Sequence, residues 1–292
     1  MRTLPDRSVY LSLLLPVFGL IFSNTASAKQ NFPHAISAET LIIHAGTLLA
    51  VPGKQPLNKQ TVVVRNGKVD SIHAGYLNKS QVEGNDSNET IIDLKNQFVM
   101  PGFIDLHVHI SKEYRQGAKL DTVTMGDADN ALTGAMYALR TMNAGFTTIR
   151  DLGSRGDSIF ALRDAIKAGK VPGPRILVAG EAITATGGHG DVHGFRQEVL
   201  DVIPSTATCD GPDSCRAAVR RQVKRGADVI KVTATGGVLS ETAAGTGQQL
   251  TDDELKAIVE TAHNLGRKVT AHAHAKEGIE AALLAGFDSI EH

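Results

Sequence analysis

Short apolar runs alternate with longer amphipathic stretches over the last two thirds of the chain. Six of these runs predict strands, at residues 102–109, 147–152, 175–180, 228–234, 268–274 and 288–292. Helical periodicity between them predicts helices that include residues 128–144, 215–225, 252–265 with a Thr251 cap, and 276–285. Strands that alternate with helices are typical of a parallel sheet with crossover connections. We therefore predict an α/β fold of the (β/α)8 TIM-type barrel over residues 99–292, with six of the eight strands that such a barrel needs.

The preceding segment, residues 29–98, has a different pattern. Short strand-like runs at residues 40–44, 61–64, 68–73 and 89–94 are separated by turn-forming stretches rich in Asn, Gly and Ser. No helical periodicity lies between them. This pattern predicts an N-terminal β-sandwich domain.

The first 28 residues predict a secretory signal peptide. Arg2 and Arg7 precede an apolar stretch at residues 9–22, and the sequence Ala-Ser-Ala at residues 26–28 has the small residues that a signal peptidase prefers. A retained membrane anchor is the alternative, but Pro16 interrupts the apolar stretch, which is short for a span of about 20 residues. We expect cleavage after Ala28, a periplasmic or secreted protein, and no stable membrane anchor.

Composition and cysteine content agree with an exported globular protein. The 292 residues are 42% hydrophobic and 21% charged, with a formal net charge of −1, so the chain has no basic surface for a nucleic acid. Cys209 and Cys215 flank a turn-forming segment that can bring them together, which favours a local disulfide. Two free thiols are the alternative, and would be expected in a reducing compartment.

Five residues near the ends of predicted strands are candidates for metal ligands. His107 and His109 are two residues apart, so both side chains point to one face of a strand. Lys231, His272 and His292 each end or follow a short apolar run. In (β/α) barrels the functional groups lie at the carboxyl ends of strands, so we expect all five at one rim. A single strand histidine is more often structural; the set of five predicts a metal centre.

The lysine and the ligand chemistry allow more specific predictions. Val229, Ile230 and Val232 surround Lys231 with apolar neighbours, so its ammonium must become neutral or be paired, with Asp151 as a possible partner. Imidazole nitrogen without thiolate suits Zn²⁺, as one ion or two, although other divalent metals are possible.

Several motifs together resemble the metal-dependent amidohydrolase superfamily, in its imidazolonepropionase-like and Xaa-Pro dipeptidase-like branch. The resemblance extends from about residue 40 to the end. Its motifs are Met-Pro-Gly-Phe-Ile-Asp-Leu-His-Val-His at 100–109, Thr-Thr-Ile-Arg-Asp-Leu-Gly at 147–153, Thr-Gly-Gly-His-Gly at 186–190, Asp-Val-Ile-Lys-Val-Thr-Ala-Thr-Gly-Gly at 228–237, Val-Thr-Ala-His-Ala-His at 269–274 and Asp-Ser-Ile-Glu-His at 288–292.

This resemblance implies a hydrolase of carbon–nitrogen bonds in amides or peptides, acting through metal-activated hydroxide. It implies that Lys231 reacts with carbon dioxide and serves the metal as a carbamate. It also implies a catalytic aspartate on the eighth barrel strand, which cannot be named because the sequence stops after the sixth. We therefore expect this chain to be either a fragment of a longer protein or a truncated, inactive remnant.

The same resemblance suggests small-molecule substrates, either dipeptides or N-acyl amino acids; a cyclic amide or imidazolone is the alternative. His189 resembles a substrate-contacting residue of the branch, and His274 lies nearer the substrate than His272 does. Arg150 could bind a substrate carboxylate or pair with Asp151 or Asp105. Separately, the protein could form a homo-oligomer. Asp105 could orient a histidine or have a structural role.

Overall fold

The computed structural model describes residues 40–82, 89–203, 207–240 and 245–292. The predicted signal peptide and its cleavage site lie outside the described residues. Among the described residues, none of the helices has the length and apolar character that a membrane crossing requires.

The first strands form one four-stranded sheet. They are β1 (Thr40–Leu48), β2 (Leu57–Arg65), β3 (Lys68–Ala74) and β4 (Glu89–Val99), in the order β3-β2-β1-β4. β2 pairs antiparallel with β1 and β3, and β4 pairs parallel with β1. Asn66 and Gly67 both have positive φ, as a tight hairpin turn between β2 and β3 requires. Within the described residues this region is a single sheet, and the second layer of a sandwich stays a prediction.

The remaining strands are parallel and occur at each of the six predicted runs. They are β5 (Phe103–Val108), β6 (Phe146–Asp151), β7 (Arg175–Val178), β8 (Val229–Thr233), β9 (Lys268–His272) and β10 (Ser289–Glu291). Two sheets result, β5-β6-β7 and β10-β9-β8. Ile183 connects them, because its N–H donates to Lys231 O at 2.8 Å and its carbonyl accepts from Thr233 N at 2.8 Å. Six parallel strands therefore follow one another in chain order.

Seven helices in the described residues connect these strands. They are α1 (Asp121–Thr124), α2 (Asp127–Asn143), α3 (Ser158–Lys167), α4 (Gln197–Leu200), α5 (Pro212–Arg225), α6 (Asp252–Asn264) and α7 (Lys276–Ala285), with short 3-10 turns at Lys79–Gln81 and Ala118–Leu120. Thr251 caps α6 as predicted: Thr251 and Glu254 each accept a hydrogen bond from the other's backbone N–H.

The main core lies between the parallel strands and their helices. Ile149, Ile230 and Val269 face Ile159, Leu255 and Ile258 in one buried apolar cluster. Cys209 and Cys215 belong to this cluster and are joined by a disulfide, with their Cα atoms 4.9 Å apart. The apolar strands thus form a rigid base for the polar side chains at their carboxyl ends.

Candidate metal centre at the carboxyl ends of the strands

The predicted ligands come together although they are far apart in sequence. The ring centroids of His107 and His109 are 5.4 Å apart, and those of His107 and His292 are 4.9 Å apart. His272 lies 4.7 Å from His292. Parallel strands in register place their carboxyl ends on one edge, which explains why β5, β9 and β10 contribute to a single cluster.

Lys231 lies in the middle of β8 and is buried. It is 3% exposed, and Nζ has no hydrogen-bond partner among the residues that the structure describes. Burial lowers the pKa of Lys231 to about 8, and the charge of Arg150 acts in the same direction. Asp151, the alternative partner suggested by the sequence, instead accepts hydrogen bonds from Ile110 N and Ser154 Oγ. Among the residues that the structure describes, the amine is therefore unpaired.

His272 is the second buried group without a partner. The residue is 5% exposed, and Nε2 makes no hydrogen bond to the described residues. Burial lowers its pKa to about 3, with further contributions from His189 and Lys231. His274, two residues later, is exposed, and its ring centroid is 4.7 Å from that of His272. His272 is therefore more buried than His274, and the assignment of His272 to the metal and of His274 to the substrate stays a prediction.

His109 has its ring fixed by backbone. Nδ1 lies 3.0 Å from Gly153 O, and only a proton on Nδ1 makes this contact a hydrogen bond. A Cβ on Gly153 would lie 3.1 Å from His109 Cε1, so the glycine leaves room for the imidazole. This orientation leaves Nε2 available as a ligand atom.

His107 has a side-chain partner that the sequence analysis did not identify. Its Nδ1 lies 3.2 Å from Oε2 of Glu291, which is 8% exposed. Burial, followed by the charge of Lys231, lowers the pKa of His107 to about 4. The one sequence feature that could have indicated this contact is Glu291 itself, a charged residue in the short strand-like run that precedes His292. Asp105 does not hold the ring, because it accepts the backbone N–H of His107 at 3.0 Å.

Arg150 is directed at protein groups. Nη2 lies 2.6 Å from Glu291 Oε1, and Nε donates to Leu106 O at 2.7 Å. The partner is therefore Glu291, neither Asp151 nor Asp105. These contacts engage Nη2 and Nε of the guanidinium, and the contact between Arg150 and a substrate carboxylate stays a prediction.

His189 approaches the cluster from the loop after β7. Its ring stacks on His272 with centroids 4.1 Å apart, and Nδ1 lies 3.0 Å from Ser240 Oγ. Its backbone N–H donates to Gln249 Oε1 at 2.8 Å. Burial lowers the pKa of His189, with Lys231 the next contribution. His189 is thus beside the predicted ligands, as a substrate-contacting residue would have to be.

The donors consist of imidazoles and one amine. In the described part of the chain, no three His, Cys, Asp or Glu side chains form a group with the geometry of a metal site. The convergent set instead depends on Lys231, whose amine must lose its proton or react before it can contribute to a cation site. Lys231 Nζ and His272 Nε2 are two of the six buried side-chain atoms that have no hydrogen-bond partner among the described residues, and these two belong to predicted ligands.

Comparison with known proteins identifies the family to which this sequence is similar. Residues 98–292 match the amidohydrolase family model. Ochratoxinase from Aspergillus niger is 33% identical over 276 residues, which cover 87% of this chain and 54% of that protein. An uncharacterized protein of Mycobacterium tuberculosis is 26% identical over 215 residues, or 72% of this chain and 50% of that protein. The chain thus spans about half the length of the curated relatives that it matches.

Solved structures agree with the sequence comparison. A Xaa-Pro dipeptidase with methionine bound in its active site has a TM-score of 0.79 and 38% identity, covering 87% of this chain and 61% of that one. The Aspergillus niger ochratoxinase structure has a TM-score of 0.73 and 31% identity, with coverage of 87% and 60%. Since the family model matches well over half of the residues and the structural neighbours share its α/β fold, the chain belongs to the amidohydrolase family.

Proposed function

We propose that this chain carries the metal-binding part of a hydrolase that cleaves carbon–nitrogen bonds, with Xaa-Pro dipeptides as the favoured substrates. The observation that carries the proposal is the pair of buried nitrogens on Lys231 and His272 that have no hydrogen-bond partner among the described residues. His272 contacts His292, which contacts His107, and the charge of Lys231 acts on His107, His109 and His292. Leaving two such polar atoms unsatisfied costs about 1–3 kcal/mol each, a cost that a bound cation would offset. We propose these five residues as the ligands.

Zn²⁺ is the proposed ion, as one or two per chain, because imidazole-rich sites without thiolate suit it; other divalent metals are possible. Such an ion supplies Lewis acidity, which polarises a carbonyl group and lowers the pKa of water. The protein supplies orientation: Gly153 O fixes the His109 ring, and the apolar neighbours of Lys231 exclude water from the amine. His189 and His274, at the mouth, are proposed to contact the substrate.

Lys231 is proposed to carry a carbamate. The neutral amine would attack the carbon of carbon dioxide, form an N–C bond and release one proton, giving an anionic group with two oxygen donors. A pKa of about 8 leaves about a quarter of the amine neutral at pH 7.5, compared with about a thousandth at the ordinary value. The fold thereby favours the reactive form.

The substrate class rests on the relatives. Structures similar to this chain include a Xaa-Pro dipeptidase at 38% identity and a prolidase, complexed with N-methylphosphonate-L-proline, at 29%. We propose a dipeptide or an N-acyl amino acid on that basis. We also propose that the described strands belong to a (β/α)8 barrel beside an N-terminal β-sandwich, and that a final barrel aspartate outside this sequence completes catalysis.

Export from the cytoplasm is proposed on two observations. The first 28 residues have the pattern of a signal peptide, and the disulfide between Cys209 and Cys215 is typical of an oxidising compartment. A periplasmic or secreted location follows.

The test combines metal analysis with activity on the intact protein. Purified protein is analysed for bound metal by mass spectrometry and assayed on a panel of Xaa-Pro dipeptides. The same measurements are made on Lys231→Met and His272→Ala. Lys256→Met, which alters an exposed lysine on α6, is the control. We expect stoichiometric zinc and dipeptide hydrolysis in the wild type and the control, and loss of both in the other variants. Metal content and hydrolysis that are unaffected by Lys231→Met and His272→Ala would refute the assignment.

A further inference from the structure

Glu291 is the most highly connected polar side chain around the proposed centre. Its carboxylate contacts His107, Arg150, Thr270 and Ser289, which lie on β5, β6, β9 and β10. It therefore connects the two parallel sheets across the inside of the fold, next to the proposed ligand His292. A group with so many buried contacts has a fixed position.

The two carboxylate oxygens of Glu291 have different partners. Oε1 accepts hydrogen bonds from Arg150 Nη2 at 2.6 Å and Thr270 Oγ1 at 2.5 Å. Ser289 Oγ lies 3.1 Å from Oε1 and 2.8 Å from Thr270 Oγ1, so its single proton is shared between these two acceptors. Oε2 faces His107 Nδ1 at 3.2 Å. Because Arg150 and Thr270 both donate to Oε1, the carboxylate cannot rotate without breaking these hydrogen bonds, and Oε2 stays directed at the imidazole.

This geometry determines which nitrogen of His107 carries the proton. A carboxylate only accepts hydrogen bonds, so Nδ1 must be the donor. A metal-ligating imidazole is neutral and carries a single N–H, which leaves Nε2 with a free lone pair. His109 has the same arrangement, with Gly153 O as the acceptor at 3.0 Å. His107 in β5 and His109 just after it therefore both present Nε2, although only His107 has a charged acceptor.

We propose that Glu291 is a positioning residue of the metal centre, which holds His107 as the Nδ1–H tautomer and increases the affinity of its Nε2 for a cation. Arg150, Thr270 and Ser289 fix Glu291 in turn. This inference rests on the proposed function, since it assigns a role toward the same centre. Hydrogen-bonded carboxylates behind a ligand histidine typically contribute about 10–100-fold to metal affinity.

The isosteric variant Glu291→Gln gives a specific expectation. The amide oxygen of Gln would take the Oε1 position, because Arg150 and Thr270 are donors there. Its NH₂ group would then face His107 Nδ1 and donate to it. A neutral His107 would respond by moving its proton to Nε2, which blocks the ligand atom. The variant keeps the volume of the side chain and inverts the tautomer.

Two measurements on the intact protein test the inference. Zinc affinity is obtained by competition with a chromophoric chelator for the wild type, Glu291→Gln and the control Glu280→Gln, which alters an exposed carboxylate on α7. We expect affinity weakened about 10–100-fold in Glu291→Gln and unchanged in the control. The ¹⁵N signals of His107, assigned by their loss in His107→Gln, report the tautomer of the metal-free protein at neutral pH.

The expected tautomer is Nδ1–H in the wild type and Nε2–H in Glu291→Gln. An Nε2–H tautomer in the wild type, or unchanged zinc affinity in Glu291→Gln, would overturn the inference. If Glu291→Gln does not fold, the wild-type tautomer still decides it, and Thr270→Val weakens the Oε1 contacts with a milder effect on zinc affinity. If the wild type binds no zinc, the proposed function fails, whereas the tautomer still tests the contact between His107 and Glu291.

Discussion

Removal of the buried amine by Lys231→Met should stabilise the metal-free protein. Lys231 is 3% exposed and has no hydrogen-bond partner among the described residues, and its pKa falls from the ordinary 10.5 to about 8. That difference corresponds to a cost of about 3 kcal/mol for keeping the ammonium in the folded state. Methionine is similar in length, fills the same space and has no charge to bury, so the variant avoids this cost.

The dependence on pH has a definite sign. Below about pH 8, Lys231 is protonated in the folded and unfolded states, and the full cost is present. Between about pH 8 and 10.5 the folded protein releases the proton while the unfolded chain still binds it, so the stability of the wild type rises with pH. The advantage of Lys231→Met is therefore largest at neutral pH and is lost as the pH approaches 10.5.

Urea unfolding from pH 7 to pH 10.5, in chelator and bicarbonate-free buffer, measures this difference. We expect Lys231→Met to be more stable than the wild type by up to about 3 kcal/mol at pH 7, with convergence at high pH. The exposed control Lys256→Met should show no such trend. Addition of zinc and bicarbonate should reverse the order, because a ligand at about 1,000 times its Kd adds about 4.1 kcal/mol to the wild type alone, which exceeds the difference of about 3 kcal/mol. A variant that is no more stable at neutral pH, with a difference independent of pH, would refute the reasoning.

Three further predictions follow from single features of the structure. An added Cβ at Gly237 would lie 2.4 Å from His189 Cε1, so Gly237→Ala should displace the His189 ring. We expect KM to rise about tenfold, while the zinc content, measured in parallel, stays unchanged. Replacement of Cys209 and Cys215 by alanine should lower the free energy of unfolding by about 2 kcal/mol, because the disulfide closes a loop with a sequence separation of 6; equal urea midpoints would contradict this. Although burial opposes the shift, hydrogen bonds from Lys268, His263 and Val269 N–H lower the pKa of Asp288 to about 2. Asp288→Asn should therefore lower the free energy of unfolding by about 2 kcal/mol at pH 7. In acid-unfolding titrations this difference should shrink as the pH falls from about 4 toward 2.

The strand positions of the α/β region were predictable because their signal is local. A short apolar run with a polar residue in it or at its end indicates a buried strand and a candidate site residue, so β5, β8 and β9 were recognised together with His107, Lys231 and His272. The N-terminal strands were also located, but each extends further than its apolar run, since backbone pairing continues into polar residues. Helix α3 was not among the helices named from the sequence.

The partners of the site residues could not be predicted, because they depend on distances between strands that are remote in sequence. Arg150 and Glu291 are 141 residues apart, yet their side chains form an ion pair at 2.6 Å. The sequence offers Asp151 and Asp105 as ion-pair partners of Arg150, and it offers Asp151 as a partner of Lys231. Both aspartates are instead occupied by nearby backbone N–H groups.

The sequence by itself predicted the candidate ligands, since residue type and spacing place His107, His109, His272 and His292 near strand ends and Lys231 within a buried strand. Only the tertiary structure decided how they are held: that Lys231 and His272 have no partner among the described residues, and that Glu291 faces His107. The physical reason is that the identity of a donor is a local property, whereas the pairing of buried polar groups depends on how the strands pack against one another.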